Sequence, residues 1–184
     1  MQKEKKVVFI EDDDTYLEAY HYLLEKLRQL QSFQFAAPTV LYDKESASEV
    51  IDGWLKEPKT APDLVFLDLI LPKTFAFYRE IQEERTRLKK SISPTENRMD
   101  TMAGITLYDV IRGNDSNSQT RIERPEQLTR LPIIILTANY RLAPSTRANR
   151  LDDKYLLWID KPFIPEDVAG IVEKFLNNCW DKTK

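Results

Sequence analysis

Four apolar runs in this chain each lead directly into polar side chains of the kinds used in phosphate and metal chemistry. Residues 7–10 lead into Glu11 and Asp12, 64–67 into Asp68, 133–136 into Thr137, and 156–159 into Asp160 and Lys161. Continuous apolar runs of this length, bounded by polar residues, are typical of strands buried on both faces of a parallel sheet. Ligands of such sheets bind outside the carboxyl ends of the strands. The pattern therefore predicts one pocket that collects acids, a hydroxyl and a lysine, as a phosphoryl-transfer site does.

Helical patterns fill the gaps between these runs. Apolar side chains recur at three- and four-residue steps over 17–30, 47–55, 105–111 and 168–179. Pro165 suits the first turn of the last helix, and Gly113 suits the end of the third. A further strand is expected within 33–41, where Pro38 favours an edge position. Strands and helices thus alternate, which predicts an α/β fold with one doubly wound parallel sheet.

Bulk composition narrows the functional classes. A chain of 184 residues corresponds to about one domain, so we expect a single domain over 1–184. The net charge of −3 gives no general attraction to nucleic acid or anionic membranes, and no apolar run reaches membrane-spanning length. The N-terminus lacks a signal-peptide core, and Cys179 is the only cysteine, so no internal disulfide forms. These features favour a cytoplasmic protein with neither nucleic acid nor membrane as a partner.

The acids predict a metal site. Three carboxylates close together repel, so such a cluster either holds a proton or recruits a hard cation. Magnesium prefers oxygen ligands and uses one or two carboxylates. We assign Asp12 and Asp68 as direct ligands of Mg²⁺ or Mn²⁺, with Glu11 holding a coordinated water. The strand register favours Glu11 and Asp12 over Asp12 and Asp13, and we expect Asp13 or Asp14 to cap the following helix.

The same pocket suggests covalent chemistry. Asp68 is the expected nucleophile, which attacks phosphorus to form an acyl phosphate. The metal and the Lys161 ammonium neutralise charge on the phosphoryl oxygens, and the Thr137 hydroxyl donates to one of them. Taken singly, each residue has a simpler interpretation, because Thr137 can merely end a strand and Lys161 can be a surface residue. The phosphoacceptor hypothesis depends on all of them together.

These residues resemble the characteristic set of bacterial two-component response-regulator receiver domains. Glu11-Asp12, Asp68, Thr137 and Lys161 correspond to that set, while segments 62–69 and 160–163 are similar to the family's phosphoacceptor strand and lysine segment. The resemblance implies a flavodoxin-like, five-stranded parallel sheet in the order 2-1-3-4-5. It also implies that the backbone carbonyl of Ile70 is a third metal ligand and that the peptide bond before Pro162 is cis.

The resemblance also implies a function. A receiver of this kind is a phosphoprotein that takes its phosphoryl group from a histidine kinase or phosphotransfer protein and is not an enzyme beyond its own phosphorylation and dephosphorylation. Thr137 would be coupled to the aromatic residue three positions before the lysine, here Trp158, to form the switch. Only 181–184 follow the last helical pattern, so we expect output through a separate effector protein. A monomer or weak homodimer is expected.

One segment departs from the family pattern. The turn that usually follows the phosphoacceptor strand is displaced to Met102-Ala103-Gly104 by an insertion of about 73–101. Within it, Tyr78, Ile81, Leu88 and Ile92 keep near-helical spacing, and Pro94 would end the helix. The insertion is charge-rich with both signs. A solvated helical arm and an element that binds a partner or covers the site are both consistent with this pattern.

Two other functions use similar residues. The first is a receiver-fold interaction module with little or no phosphorylation, controlled by the insertion. The second is an aspartyl-phosphate hydrolase of the haloacid-dehalogenase type, which also uses Asp, Thr and Lys. That family requires a second acid two residues after the nucleophile, where this chain has Ile70, and places its metal-binding acids late in the chain. The sequence therefore disfavours the hydrolase.

Overall fold

A computed structural model of the protein describes residues 4–30, 33–88, 98–114, 123–138, 150 and 152–180. The strands in chain order are β1 (Val7–Ile10), β2 (Thr39–Leu41), β3 (Leu64–Asp68), β4 (Leu71–Pro72), β5 (Met99–Asp100), β6 (Ile133–Thr137) and β7 (Leu156–Asp160). Five of them form one parallel sheet in the order β2-β1-β3-β6-β7. Since β4 and β5 form a separate ribbon, this order is the predicted 2-1-3-4-5. The predicted fold class is confirmed.

Helices cover both faces of the sheet. They are α1 (Asp14–Gln29), α2 (Lys44–Lys56), α3 (Phe75–Leu88), α4 (Ala103–Arg112), α5 (Glu126–Thr129) and α6 (Pro165–Trp180), with a 3₁₀ turn at Pro58–Thr60. Side chains alternate between the faces along each strand, so Phe66 packs with the α1–α6 side and Leu67 with the α2–α4 side. Among the described helices, none has both the length and the apolar character needed to cross a membrane.

The ends of the elements follow local chemistry. Asp13 caps α1, where its carboxylate accepts a hydrogen bond from the Thr15 amide at 2.9 Å. This confirms the prediction that one of the two acids after Asp12 caps the helix. Gly113 ends α4 in a left-handed conformation with φ of 73°, which glycine adopts without steric cost. β2 lies at the edge of the sheet, as Pro38 indicated.

A short antiparallel ribbon joins the two ends of the segment that the sequence predicts as an insertion. Strands β4 and β5 pair Leu71 with Asp100 and Pro72 with Met99. This ribbon was not predicted, because two-residue strands leave no periodic signal. The helix predicted within 73–101 is present as α3, whereas 89–97, with Ile92 and Pro94, lie outside the described residues.

Helix α3 packs near the carboxyl ends of β1 and β2. The Tyr78 ring on α3 stacks on Tyr42, which directly follows β2, with 4.8 Å between centroids. The amide of Glu45 at the start of α2 donates to the carbonyl of Lys73 at 3.2 Å. Ile81 of α3 is buried. The helix is therefore not a fully solvated arm, because one of its faces packs on the sheet-bearing part of the protein.

Candidate functional site

The sheet brings the predicted side chains to one edge. Parallel register pairs Asp68 at the end of β3 with Leu136 of β6, and Thr137 of β6 with Asp160 of β7. Glu11 and Asp12 follow β1, the other neighbour of β3. All five predicted polar residues are buried, with exposed fractions of 1% for Glu11, 4% for Asp12, 7% for Asp68, 4% for Thr137 and 3% for Lys161. Acids and lysines are rarely buried unless they are paired, so this edge is a specialised site.

Three carboxylates form a compact cluster. Glu11, Asp12 and Asp68 each offer one oxygen, and these oxygens lie within 4.8 Å of one another. Burial and the charge of Asp68 raise the pKa of Glu11 to about 7. Burial and the charge of Glu11 likewise raise the pKa of Asp12 to about 7, and burial raises the pKa of Asp68. A hard cation would relieve this mutual repulsion, so the donor set fits a metal ion.

Lys161 links two of the acids. Its Nζ lies 2.6 Å from Glu11 Oε2 and 3.1 Å from Asp68 Oδ1. Burial lowers the pKa of Lys161, but Asp68 and Glu11 outweigh burial, so the net shift is upward and the side chain stays charged. The Lys161–Pro162 peptide bond is cis, as expected, and the Lys161 amide donates to the Thr137 carbonyl at 2.8 Å. The ammonium is thus fixed beside Asp68.

Two tyrosines of α1 complete the floor of the site. The Tyr20 hydroxyl donates to Glu11 Oε2 in a short hydrogen bond, and Lys161 Nζ lies 3.9 Å from the centre of the Tyr16 ring. In the sequence, Tyr20 is only one of the positions of the apolar pattern over 17–30. A buried tyrosine hydroxyl requires a hydrogen-bond partner, and that requirement is the only signal in the sequence for a polar role of Tyr20.

Helix α3 also reaches the site. Gln82 Nε2 of α3 donates to the backbone carbonyl of Asp12 at 2.9 Å. Nη1 of Arg85 lies 3.4 Å from the same carbonyl oxygen, and Nη2 of Arg85 lies 3.4 Å from Oδ2 of Asp12. Neither residue was predicted, because nothing in a charge-rich helix indicates which side chain meets a distant loop.

Gly104 packs directly on the strand that carries Asp68. A Cβ added at Gly104 would lie 2.3 Å from the Asp68 carbonyl oxygen and 2.9 Å from the Cα of Leu69. The Gly104 amide donates to the Leu69 carbonyl at 3.2 Å. The turn predicted at Met102-Ala103-Gly104 therefore lies against the end of β3, although segment 73–101 separates the two in the chain.

The remaining predicted residues surround this centre. Ile70 lies two residues after Asp68 and is partly buried. Trp158 pairs in register with Ile135, is partly buried, and packs against the apolar core on the α2–α4 side. The metal-ligand role of the Ile70 carbonyl and the switch role of Trp158 with Thr137 remain predictions.

Comparisons with known proteins identify the fold. No protein-family model and no curated protein matches the chain. A receiver domain of a sensor histidine kinase from Pseudomonas aeruginosa, solved with magnesium coordinated in its active-site cleft, matches at 16% identity and a TM-score of 0.52, covering 95% of this chain and 99% of that one. A receiver domain of a signal-transduction histidine kinase from Syntrophus aciditrophicus matches at 17% identity and a TM-score of 0.53, covering 98% and 95%.

A third solved structure agrees with these two. A CheY-like response-regulator receiver protein from Methanospirillum hungatei matches at 12% identity and a TM-score of 0.53, covering 98% of this chain and 99% of that one. The likeness spans nearly the whole length of all three proteins. The chain therefore has the fold of response-regulator receiver domains, which confirms the resemblance recognised in the sequence at the level of fold.

Proposed function

We propose that this chain is a response-regulator receiver that accepts a phosphoryl group on Asp68 from a histidine kinase or a phosphotransfer protein. The observation that carries the proposal is the contact of Nζ of Lys161 with Oδ1 of Asp68, 3.1 Å apart, inside a buried cluster of acids. This arrangement places a nucleophile and a fixed positive charge together at the edge of the sheet where α/β proteins bind ligands. The protein would act in a two-component system, not as an enzyme on other substrates.

The proposed reaction is a single phosphoryl transfer. A carboxylate oxygen of Asp68 attacks the phosphorus of a phosphohistidine, while the phosphorus–nitrogen bond breaks and the imidazole leaves with the electron pair and takes up a proton from solvent. The product is an aspartyl phosphate. The Lys161 ammonium neutralises charge on the phosphoryl oxygens, and the Thr137 hydroxyl donates to one of them. Water later hydrolyses the acyl phosphate and ends the signal.

Mg²⁺ or Mn²⁺ is the cation that fits these acids. Asp12 and Asp68 would be direct ligands, the carbonyl of Ile70 a third, and Glu11 would act through a coordinated water. The Glu11 carboxylate already accepts hydrogen bonds from Tyr20 and Lys161, which supports an indirect role. When bound, a divalent cation neutralises and orients phosphoryl oxygens.

Output would be a change in affinity for a separate effector protein. The new negative charge on Asp68 biases a two-state surface, with the Thr137 hydroxyl drawn toward the phosphoryl group and Trp158 following it. The acidic net charge of −3 supports a protein partner over nucleic acid or membrane. We further propose a cytoplasmic protein that is one domain over 1–184 and a monomer or weak homodimer.

One observation favours a second function. The Arg85 guanidinium contacts Asp12, so a positive charge of the insertion already lies beside a proposed metal ligand. In a receiver-fold interaction module with little or no phosphorylation, the contact between Arg85 and Asp12 would be present at all times. The insertion would then form the binding surface for the partner.

Phosphorylation by a small phosphodonor separates the two functions. We expect intact mass spectrometry of wild type with acetyl phosphate and Mg²⁺ to show one added phosphoryl group. The Asp68→Asn variant should show none, because the amide is not a nucleophile of comparable strength. Absence of the modification in the folded wild-type protein would favour the interaction module.

A further inference from the structure

Arg85 is the one residue of the insertion that brings a formal charge to the acid cluster within the described part of the chain. Its guanidinium contacts both the carboxylate and the backbone carbonyl of Asp12, at 3.4 Å each. The Asp12 side chain is 5% exposed and that of Arg85 27% exposed, so the contact is largely withdrawn from water. Screening by salt is weaker in such a place than on an open surface.

The charges in the site are divided between two cations. Lys161 forms ion pairs with Glu11 and Asp68, whereas Arg85 forms an ion pair with Asp12. A divalent cation held by Asp12 and Asp68 would lie close to the guanidinium, and two positive charges at such a distance repel. Once a metal had bound to the Asp12 carboxylate, the attraction between that carboxylate and the Arg85 guanidinium would also be weaker.

The attachment of α3 to the rest of the protein differs along its length. Its first half is held by apolar contacts, through the Tyr78 ring on Tyr42 and the buried Ile81. Its second half reaches the β1–α1 loop through Gln82 and Arg85, both directed to Asp12. Glu84, also in the second half, pairs with Arg98 at 3.0 Å through both of its carboxylate oxygens. Loss of the Arg85 contact would therefore weaken the attachment of the second half of the helix at Asp12, while the first half stays packed and Glu84 keeps its pairing with Arg98.

We propose that Arg85 is an internal counter-ion of the metal site, which competes with a divalent cation for Asp12. The competition is reciprocal: α3 docking weakens the binding of the cation, and the cation weakens the docking of the second half of α3. This inference rests on the proposed metal site, and it gives the insertion a role in setting the metal affinity of the receiver and in reporting metal occupancy.

Metal affinity of matched variants tests the competition. The electron paramagnetic resonance signal of free Mn²⁺ measures binding to wild type, Arg85→Gln, Arg85→Lys and Arg79→Gln. Arg79 is the matched control, because it lies on the same helix with a 67% exposed side chain that pairs only weakly with Glu83 at 3.8 Å. Removing the charge of Arg85 should tighten Mn²⁺ binding about three- to tenfold. Arg85→Lys and Arg79→Gln should stay within about twofold of wild type.

Amide hydrogen exchange is a second measurement of the competition, and it does not depend on the measured metal affinity. Saturating Mg²⁺ should accelerate amide exchange over 82–88 in wild type, with little change over 75–81. In Arg85→Gln, exchange over 82–88 should already be fast and should not respond to Mg²⁺. Unchanged or slower exchange over 82–88 in wild type with Mg²⁺ would overturn the competition.

The remaining outcomes distinguish a failure of the proposed metal site from a failure of the proposed counter-ion role of Arg85. If Arg85→Gln binds Mn²⁺ as tightly as wild type or more weakly, while Asp12→Ala still abolishes binding, the metal site stands and the counter-ion role of Arg85 is wrong. If wild type and Asp12→Ala bind Mn²⁺ equally weakly, the proposed metal site fails and this inference fails with it.

Discussion

The carbonyl oxygen of Asp68 faces the backbone of Gly104 so closely that a Cβ at Gly104 would lie 2.3 Å from it. Real Cβ atoms do not approach backbone oxygens to this distance, so either β3 or α4 must shift if any side chain is added. The contact holds the start of α4 against the end of the strand that carries the proposed phosphoacceptor. Residue 104 is therefore glycine for reasons of space.

Substitution of this glycine should destabilise the protein. We expect Gly104→Ala to lower the free energy of unfolding by about 1–3 kcal/mol, the usual effect of overpacking a close contact. Gly53→Ala is the matched control, because Gly53 lies in α2 with no atom near the added Cβ. It should stabilise the protein by about 0.5–1 kcal/mol, since alanine favours the helix. Urea unfolding measures both, and equal stability of the two variants would contradict this account.

Asp12 and Asp14 should differ in metal binding. Asp12 is buried in the acid cluster, whereas Asp14 is exposed at the start of α1. Asp12→Ala should remove most of the Mg²⁺ affinity, because a direct ligand is lost, and Asp14→Ala should change it little. A titration of each variant with Mg²⁺ measures the difference. If Asp14→Ala is the damaging change and Asp12→Ala is silent, the assigned register of the site is wrong.

The acids predict a specific dependence on pH. Their pKa values of about 7 for Glu11 and about 7 for Asp12 exceed the ordinary values of 4.5 and 3.8, because of burial and of repulsion from neighbouring acids. The folded state thus binds these protons more tightly than the unfolded state. Without metal, this pair should reduce stability as the pH rises from about 4 to about 7.

Thermal unfolding with and without Mg²⁺ measures this effect. Since Mg²⁺ takes the place of the protons, the increase in Tm that it causes should be larger at about pH 8 than at about pH 5.5. In Asp12→Asn, which carries no charge at that position, the increase should be small at both pH values. An equal increase at both pH values in wild type would contradict the prediction.

Ile70 should slow the loss of the phosphoryl group. Its side chain lies two residues beyond Asp68 and offers no hydrogen bond that could orient an attacking water. Ile70→Asn should therefore accelerate decay of the acyl phosphate relative to wild type. Ile171→Asn is the control, because Ile171 is exposed on α6 and should leave the decay unchanged. Rapid decay in wild type, or no acceleration in Ile70→Asn, would show that Ile70 does not limit hydrolysis.

The part of the site that could be predicted is the part that strand ends determine. Asp68 and Thr137 follow long apolar runs whose period and length indicate buried parallel strands, and the carboxyl ends of such strands meet at one edge. The same rule predicts Glu11 and Asp12, which directly follow β1. The structure agrees with this register, because it places both residues in the acid cluster and Asp13 at the helix cap. The alternation of strands and helices was enough to predict the doubly wound parallel sheet and the convergence of these residues, whereas the strand order was implied by the resemblance to receiver domains.

The unpredicted part depends on contacts between distant segments. Arg85 meets Asp12 across 73 positions, and no local periodicity encodes which charged side chain of a helix faces the site. The ribbon that joins Leu71 to Asp100 consists of two-residue strands, too short for any alternation. Tyr20 occupies an apolar position on α1, where only its hydroxyl, bonded to Glu11, distinguishes it from phenylalanine.

The most direct test of the central claim is to locate the phosphoryl group on the chain. Borohydride reduces an aspartyl phosphate to homoserine, so the protein treated with acetyl phosphate and Mg²⁺ is reduced, digested and mapped by mass spectrometry. The account predicts homoserine at position 68 alone, and none when acetyl phosphate is omitted. A modified residue at Asp12 or at any other acid, with Asp68 unchanged, would contradict it.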